Sequence, residues 1–181
     1  MRSLLVLSIV ASGLGTASAA DLESGLLVGD YPHPFFVMDV TGPAAGEKLC
    51  YRCRYGAQPV VNIFARKLDE NVTKLIKEID GVVAKNRDSR MAAFVVVLTE
   101  DPDEQETVLK KTVQSGKIKH TPLTIFENSS GPAKYRIAKE ADVTVMMWVE
   151  SDVKVNHALK HGELNDEAIS RIVKDTAKIL N

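Results

Sequence analysis

The fold is decided by residues 59–98, which read PVVNIFARKLDENVTKLIKEIDGVVAKNRDSRMAAFVVVL. Two nearly continuous apolar runs, 59–65 and 92–98, flank a segment whose apolar residues recur at helical spacing. A strand that is apolar on both faces is typical of a sheet covered on both faces by helices. Asp69 stands where an N-cap is needed, because its carboxylate can accept a hydrogen bond from the first turn. We therefore predict a strand–helix–strand unit whose helix runs from Asp69 to about Asn86, with 92–98 as a central strand.

The alternation of strands and helices continues on both sides of this unit. Further strands are predicted at 35–40, 122–126, 143–149 and 152–158, and further helices at 102–115 and from 165 onward, with a helical turn at 132–138. This order predicts an α/β fold, with one mixed β-sheet flanked by helices on both faces. The last two strands are expected to pair as an antiparallel hairpin. Because no repeat or linker divides the chain, we predict a single domain over residues 21–181.

Residues 1–20 have the pattern of a signal peptide. Arg2 provides a positive start, an uncharged apolar run follows, and Ala17-Ser18-Ala19 matches the small-residue pattern of a cleavage site. The apolar run is shorter than the roughly 20 residues that a membrane-spanning helix needs. We therefore predict cleavage, export to the periplasm or the exterior, and no membrane span in the remaining chain. Disulfides form and persist in such compartments.

The composition excludes several classes of protein. The 181 residues are 45% apolar and 26% charged, a balance typical of a globular domain and not of disordered or collagenous chains. There are 23 Lys and Arg against 24 Asp and Glu, so no basic excess is available to neutralise the phosphates of a nucleic acid. Two cysteines are too few for a disulfide-rich scaffold or for a four-cysteine zinc or iron–sulfur site.

The strongest chemical signal is the CxxC motif formed by Cys50 and Cys53. A disulfide across so short a loop would stabilise the fold by only about 2 kcal/mol in the chain-entropy model. The spacing is better suited to thiol–disulfide exchange, because the second thiol is positioned to resolve a mixed disulfide. Arg52 and Arg54 are predicted to support this chemistry, since positive charge favours a thiolate.

Two other interpretations of the cysteine pair stay open. In the first, the disulfide only fixes a local turn in a non-catalytic binding domain. In the second, two thiolates bind Cu(I), an ion that prefers soft ligands. Zinc would need two further ligands, and none of the histidines stands at a recognisable spacing from the pair: His33, His120, His157 and His161. We therefore predict no zinc site and no resident cofactor.

Residues 30–180 resemble the thioredoxin-like superfamily, and within it the peroxiredoxin and secreted redoxin-like branch. The resemblance rests on Pro34–Gly42 as a first strand, on Pro59–Ala65 as the central strand, on Thr121-Pro122-Leu123-Thr124, and on the closing strands and helix from Tyr135. It implies a thioredoxin-like fold and a thiol–disulfide oxidoreductase that acts on a protein thiol or disulfide.

The same resemblance implies roles for individual residues. Cys50 would attack and Cys53 would resolve. Pro122 would open a strand that faces the active site, with a cis peptide bond before it. His120, two residues earlier, could then approach that site.

One departure from the family pattern is informative. In these families the reactive cysteine follows the central strand, at the start of the next helix, where backbone N–H groups lower its pKa. Here that position reads Arg66-Lys67-Leu68-Asp69-Glu70-Asn71 and holds no cysteine. The CxxC instead precedes the central strand. This displacement argues against peroxidase chemistry of the family kind.

Overall fold

A computed structural model describes residues 22–180. Seven strands form one sheet: β1 (Val37–Asp39), β2 (Lys48–Leu49), β3 (Val60–Ala65), β4 (Ala92–Leu98), β5 (Leu123–Phe126), β6 (Val143–Val149) and β7 (Asp152–Leu159). The helices are α1 (Tyr51–Tyr55), α2 (Glu70–Lys85), α3 (Pro102–Gly116) and α4 (Asp166–Asp175), with 3₁₀ turns at Ala133–Tyr135 and Thr176–Ile179. The mixed sheet and its helices confirm the predicted α/β class.

The order of strands across the sheet is β2-β1-β5-β4-β3-β6-β7, which places β4 at the centre as predicted. Strands β3, β4 and β5 are parallel, and the other neighbours are antiparallel. The three parallel strands therefore begin at one end of the sheet, just after Pro59, Met91 and Pro122. We call this the amino end. The opposite end, where β3 is followed by Arg66, is the carboxyl end.

The two faces of the sheet are covered differently. The three long helices α2, α3 and α4 pack on one face, and the apolar stripe of α2 is buried there: Val72, Leu75, Ile76, Ile79 and Val83. The other face is aromatic and includes Phe35, Phe64, Phe94, Tyr135 and Trp148. It is covered by the N-terminal segment from Leu26 to Val37, by α1 and by the turn at Ala133–Tyr135. Helices thus lie on both faces as predicted, but only short ones cover the aromatic face.

Local hydrogen bonds explain why the central helix was predictable. The Asp69 carboxylate accepts a hydrogen bond from the Val72 N–H at 2.8 Å, which satisfies a donor of the first turn. Asn86 ends the helix, where its N–H reaches the carbonyls of Val82 and Val83. Both predicted ends of α2 are confirmed. The sequence did not indicate β2 or α1, which have two and five residues.

The structure bears on one of the two predictions that concern membranes, the absence of a membrane span, and not on the signal peptide. No helix within residues 22–180 is long and apolar enough to span a bilayer. The predicted signal peptide, residues 1–20, lies outside the described residues and stays a prediction.

Candidate functional site

Cys50 and Cys53 form a disulfide at the start of α1. Cys50 is the N-cap of this helix, and its Sγ accepts a hydrogen bond from the Cys53 N–H at 3.0 Å. The two residues differ in access, because Cys50 is only 7% exposed whereas Cys53 lies on the surface. A reagent in solution therefore meets Cys53 first.

Helix α1 is held against the sheet by Tyr51. Its ring is buried and stacks on Phe94 of β4 with the ring centroids 5.3 Å apart. Its hydroxyl donates to the buried Asp39 carboxylate at 2.9 Å, and the same carboxylate accepts from the N–H groups of Gly42 and Ala44 at 2.8 Å each. Burial, together with the hydrogen bond to Asp39, holds the pKa of Tyr51 well above its usual range. Tyr51 is therefore a neutral anchor that keeps its proton.

Arg52 anchors the other side of α1. The side chain is buried, and its guanidinium donates to the Pro32 carbonyl at 2.7 Å, to the Gly56 carbonyl at 3.2 Å and to Ser151 Oγ at 2.8 Å. It also lies 4.9 Å from the centroid of the Tyr31 ring, a cation–π distance. We predicted that Arg52 would support a thiolate. That role stays a prediction. In the structure its hydrogen bonds go to the N-terminal segment, to the end of α1 and to the β6–β7 turn, and they tie α1 in place.

Arg54 lines a cleft of about 650 Å³ at the amino end of the sheet. The cleft is formed by the end of α1, the turn after β1, and the loops that precede β3, β4 and β5. Its polar and charged lining comprises Thr41, Arg54, Tyr55, Gln58, Arg87, Arg90, Lys119, His120 and Thr121. Pro122 is also part of the wall. Arg54, His120 and Pro122, which the sequence singled out separately, thus share one cleft, whereas neither cysteine lines it.

The prediction of a cis bond before Pro122 is wrong, because the Thr121–Pro122 bond is trans. Pro122 leads directly into β5, and its carbonyl accepts a hydrogen bond from the Val95 N–H of β4 at 2.9 Å. This regular start of a parallel strand fits the trans form that X–Pro bonds ordinarily prefer. The strand that lies antiparallel beside β3 is β6, not β5. Pro122 therefore stands at the opposite end of the sheet from the residues that follow β3.

Arg66 occupies the position directly after β3. Its guanidinium donates to three backbone carbonyls, those of Ser129 at 2.7 Å, Ala141 at 2.9 Å and Ala138 at 3.0 Å. The loops before β6 are thereby fastened to the end of β3. The place where the resemblance would put a reactive cysteine is filled by a structural arginine.

The histidines do not gather around the cysteines. His157 faces Asp175, with Nε2 and Oδ2 3.0 Å apart, and His161 Nδ1 lies 2.9 Å from Asp142 Oδ2. His120 contacts Arg87 in the cleft. Within residues 22–180, no group of three or more His, Cys, Asp or Glu side chains is arranged to hold a metal ion. The Cu(I) interpretation therefore depends on the two cysteines alone.

Solved structures share this architecture. A proposed thiol:disulfide interchange protein, DsbE, from Chlorobium tepidum superposes with a TM-score of 0.66 at 12% identity, over 86% of this chain and 99% of that one. A proposed protein disulfide isomerase from Bacteroides thetaiotaomicron gives 0.64 at 14% identity, over 88% and 94%. The fold is thioredoxin-like. A yeast mitochondrial 1-Cys peroxiredoxin is also similar, with a TM-score of 0.60 at 11% identity, over 84% and 76%.

The thioredoxin-like fold expected from the sequence is thus confirmed, and its neighbours include both interchange proteins and peroxiredoxins. No protein-family model matches the chain. No curated protein sequence matches it either. At these identities the likeness establishes the fold, and the chemistry has to be argued from the residues of this chain.

Several residues of the site were not predicted from the sequence. The Asp39–Tyr51 anchor joins residues on two different elements and leaves no local pattern. Arg87 and Arg90 follow the end of α2, where basic residues are common because they suit the negative end of a helix. That pattern gives no sign that they face a cleft shared with Arg54.

Proposed function

We propose that this protein carries out thiol–disulfide exchange through Cys50 and Cys53 in an exported compartment. The observation that carries the proposal is the unequal access of the two cysteines in one disulfide, with Cys53 exposed and Cys50 buried. If the fold only shielded the disulfide from reagents, both cysteines would be buried. The hydrogen bond from the Cys53 N–H to Cys50 Sγ supports the same role, because a thiolate released at Cys50 would keep a donor.

The proposed reaction starts with a substrate thiolate that attacks Sγ of Cys53. A bond forms between the substrate sulfur and Cys53, the Cys50–Cys53 bond breaks, and Cys50 leaves as a thiolate that takes up a proton from water. A second substrate thiol, in its deprotonated form, then attacks the substrate sulfur of the mixed disulfide and releases Cys53 as a thiolate. The substrate loses two electrons and gains a disulfide, while the cysteine pair gains both electrons. The reverse sequence reduces a substrate disulfide.

This order differs from the one that the family resemblance implies. The resemblance makes Cys50 the attacking thiol, whereas the exposure of the two residues favours Cys53 as the sulfur that exchanges with the substrate. Single substitutions separate the two orders. With Cys53 as the exchanging residue, Cys50→Ser leaves a reactive thiol that accumulates a mixed disulfide with glutathione disulfide, and Cys53→Ser reacts far more slowly. The opposite pattern would restore Cys50 to the attacking role.

The reduction potential of the pair tests the proposal itself. The protein without residues 1–20 is equilibrated in graded glutathione buffers, the free thiols are alkylated, and the mass shift gives the reduced fraction. We expect a potential between about −120 and −270 mV, the range of exchange proteins. A value below about −300 mV is typical of a structural disulfide and would support the binding-domain alternative.

A double variant provides the matched activity control. Tyr51 and Arg52 hold α1 without using either sulfur, so Cys50→Ser/Cys53→Ser should keep the fold. We expect it to lose all disulfide-reductase activity while its circular dichroism spectrum is unchanged. Equal activity in the variant and the parent would end the exchange proposal.

Export is a separate part of the proposal and has its own test. It rests on the charged start, apolar run and Ala17-Ser18-Ala19 pattern of the first 20 residues. Intact mass of the protein purified from its own source should match a chain that starts at Asp21 or within one or two residues of it. A mass that includes residues 1–20 would contradict cleavage.

A further inference from the structure

The cleft at the amino end of the sheet is strongly basic. Four side chains that line it carry a positive charge at neutral pH, namely Arg54, Arg87, Arg90 and Lys119, and no acidic residue is among its lining residues. None of the four forms an ion pair with a residue in the described range 22–180. The chain as a whole has a net charge of −1, so this concentration of positive charge is local.

The topology of the sheet brings these cations together. Arg54 belongs to α1, before β3; Arg87 and Arg90 lie in the loop before β4; and Lys119 lies in the loop before β5. Because β3, β4 and β5 are adjacent and parallel, the segments before them meet at one end of the sheet. Basic residues near helix ends complement the helix dipole, but that effect acts within one turn of each helix. It does not explain why three separate elements direct cations into one cleft.

The loop before β5 is fixed in place beneath the cleft. The buried carboxylate of Asp80 accepts hydrogen bonds from the backbone N–H groups of Lys119 at 3.1 Å and His120 at 2.7 Å. The Asp80 carboxylate is therefore hydrogen-bonded by two backbone donors. Arg87 Nη1 lies 3.2 Å from His120 Nδ1, which links the second loop to the third. A ligand would meet a wall that is already ordered, and such preorganisation lowers the entropic cost of binding.

A second observation at the cleft is independent of charge. Thr121 lines the cleft and is only 3% exposed, yet its hydroxyl has no hydrogen-bond partner among the described residues. Buried hydroxyl groups are ordinarily satisfied, because an unmade hydrogen bond costs free energy. Thr121 Oγ1 is thus an incompletely satisfied polar atom in the wall of the cleft.

We propose that this cleft binds a small polyanion, a molecule with two or more carboxylate or phosphate groups. Its volume of about 650 Å³ is in the usual range for small-molecule sites. The paired N–H donors of arginine match the planar arrangement of oxygens in a carboxylate and the tetrahedral arrangement in a phosphate. The four cations reach the cleft from three elements, which favours a ligand with two or more anionic groups. The proposal does not depend on exchange at Cys50 and Cys53.

Calorimetric titration of the protein without residues 1–20 tests the proposal with two probes, citrate for carboxylates and pyrophosphate for phosphates. We expect saturable binding of at least one probe, and its affinity should fall as NaCl is raised. Stronger binding of citrate identifies a carboxylate ligand, and stronger binding of pyrophosphate a phosphate ligand. If neither probe saturates at millimolar concentration, the proposal is overturned.

Variants localise the binding. Arg87→Gln/Arg90→Gln should weaken the better probe by about tenfold or more, because hydrogen bonds to charged groups are lost. Lys139→Gln removes the same kind of charge from an exposed residue outside the cleft and should leave affinity unchanged. An equal effect of the cleft and control variants would mean non-specific attraction and would overturn the proposal.

The redox proposal and the cleft proposal can fail separately. The Cys50→Ser/Cys53→Ser variant should bind the polyanion as the parent does, since neither cysteine lines the cleft. If exchange activity is absent but the polyanion binds, only the redox proposal fails. A different pair of results would overturn the cleft proposal alone: the parent binds no anion, and the Arg87→Gln/Arg90→Gln variant is less stable than the parent in urea. The two arginines would then serve only to stabilise the helix ends.

Discussion

The two ends of the sheet have opposite characters. At the carboxyl end, Arg66 fills the position after β3 and fastens three backbone carbonyls of neighbouring loops. At the amino end, the corresponding loops leave a basic cleft of about 650 Å³, next to the short helix that carries the disulfide. In the families that the sequence resembles, the reactive cysteine belongs to the carboxyl end. In this chain that position holds no cysteine, and a basic cleft lies at the amino end.

A shared fold does not by itself fix the place of chemistry. The same strands and helices can support reactive groups at either end, provided that side chains hold the adjoining loops. Here Arg66 performs that task at one end, and Asp39 with Tyr51 at the other. Substitutions at Arg66 test whether the carboxyl end is purely structural, and substitutions at Asp39 and Tyr51 test whether the amino end depends on their hydrogen bond.

Asp39→Ala is expected to have the largest effect. Asp39 is fully buried, and its removal leaves the Tyr51 hydroxyl and the N–H groups of Gly42 and Ala44 without their acceptor. The buried Tyr51 hydroxyl costs roughly 1–3 kcal/mol when unsatisfied, and the two part-buried N–H groups cost about 1 kcal/mol each, so we expect a loss of about 3–5 kcal/mol in the free energy of unfolding. Urea denaturation measures this loss, with Glu47→Ala on the exposed turn as the control. A loss below about 1 kcal/mol would show that the turn and α1 are held by other contacts.

Arg66→Ala should be next in size and should separate stability from redox behaviour. The variant removes three hydrogen bonds from a charged donor, and we expect it to lower the free energy of unfolding by about 2–3 kcal/mol. The reduction potential of Cys50–Cys53 should not change, because none of the hydrogen bonds of Arg66 reaches α1 or either cysteine. Lys67→Ala, at the exposed neighbour, is the matched control for stability. A shifted potential in Arg66→Ala would mean that the two ends are coupled.

Tyr51→Phe tests the anchor of α1 more gently. The ring still stacks on Phe94, but the hydrogen bond to Asp39 is lost. We expect a loss of about 1 kcal/mol in the free energy of unfolding. If α1 depends on this bond, Cys50 also becomes accessible, so its alkylation in the reduced protein should be faster than in the parent. Unchanged alkylation would mean that the stacking on Phe94 and the contacts of Arg52 keep Cys50 covered without this hydrogen bond.

The smallest predicted effect concerns pH and belongs to neither end. Burial lowers the pKa of His157 below its ordinary value of 6.5, even though Asp175 lies 3.0 Å away and acts in the opposite direction. The unfolded chain therefore binds this proton more readily than the folded one. The contribution of His157 to stability is present above pH 6.5 and is lost as pH falls through the lower folded pKa.

Comparison of two histidine variants measures that contribution. His157→Gln should weaken the fall in stability between pH 7.5 and 5.5 relative to the parent. His161→Gln should leave it unchanged, because the His161 side chain is 95% exposed. Asp175, whose pKa is lowered from 3.8 chiefly by Lys178 and His157 against the effect of burial, titrates below this window. A parent and a His157→Gln variant with the same pH profile would contradict the prediction.

The sequence predicted the parts of the fold that local chemistry determines. Helix α2 was delimited from Asp69 and its apolar spacing, and β4 from its unbroken apolar run, because capping and burial leave marks within a few residues. Helix α1 escaped prediction because five residues hold too little periodicity. The cleft also escaped prediction, since its cations are far apart in the sequence and meet only through the pairing of three strands.

The error at Pro122 has a different origin. Order along the chain was used to infer which strand faces the active site, but order does not determine which strands are neighbours. The pairing places β5 beside β4 and β1, and β6 beside β3. Cys50 and Cys53 were singled out from their CxxC spacing, and the structure joins them in a disulfide because residues three apart at a helix start are brought together by local geometry.

The anchoring of α1 has a consequence for the order of events during synthesis. The disulfide links residues three positions apart, so it can close in a chain that has no other structure. The cover over Cys50 needs much more of the chain: Leu123, which begins the strand beside β1, is 70 positions beyond Cys53, and Ser151, which binds Arg52, is later still. Until those segments emerge, a cellular oxidant meets two equivalent thiols. Only completion of the sheet makes them unequal, and it leaves Cys53 as the cysteine that faces solvent.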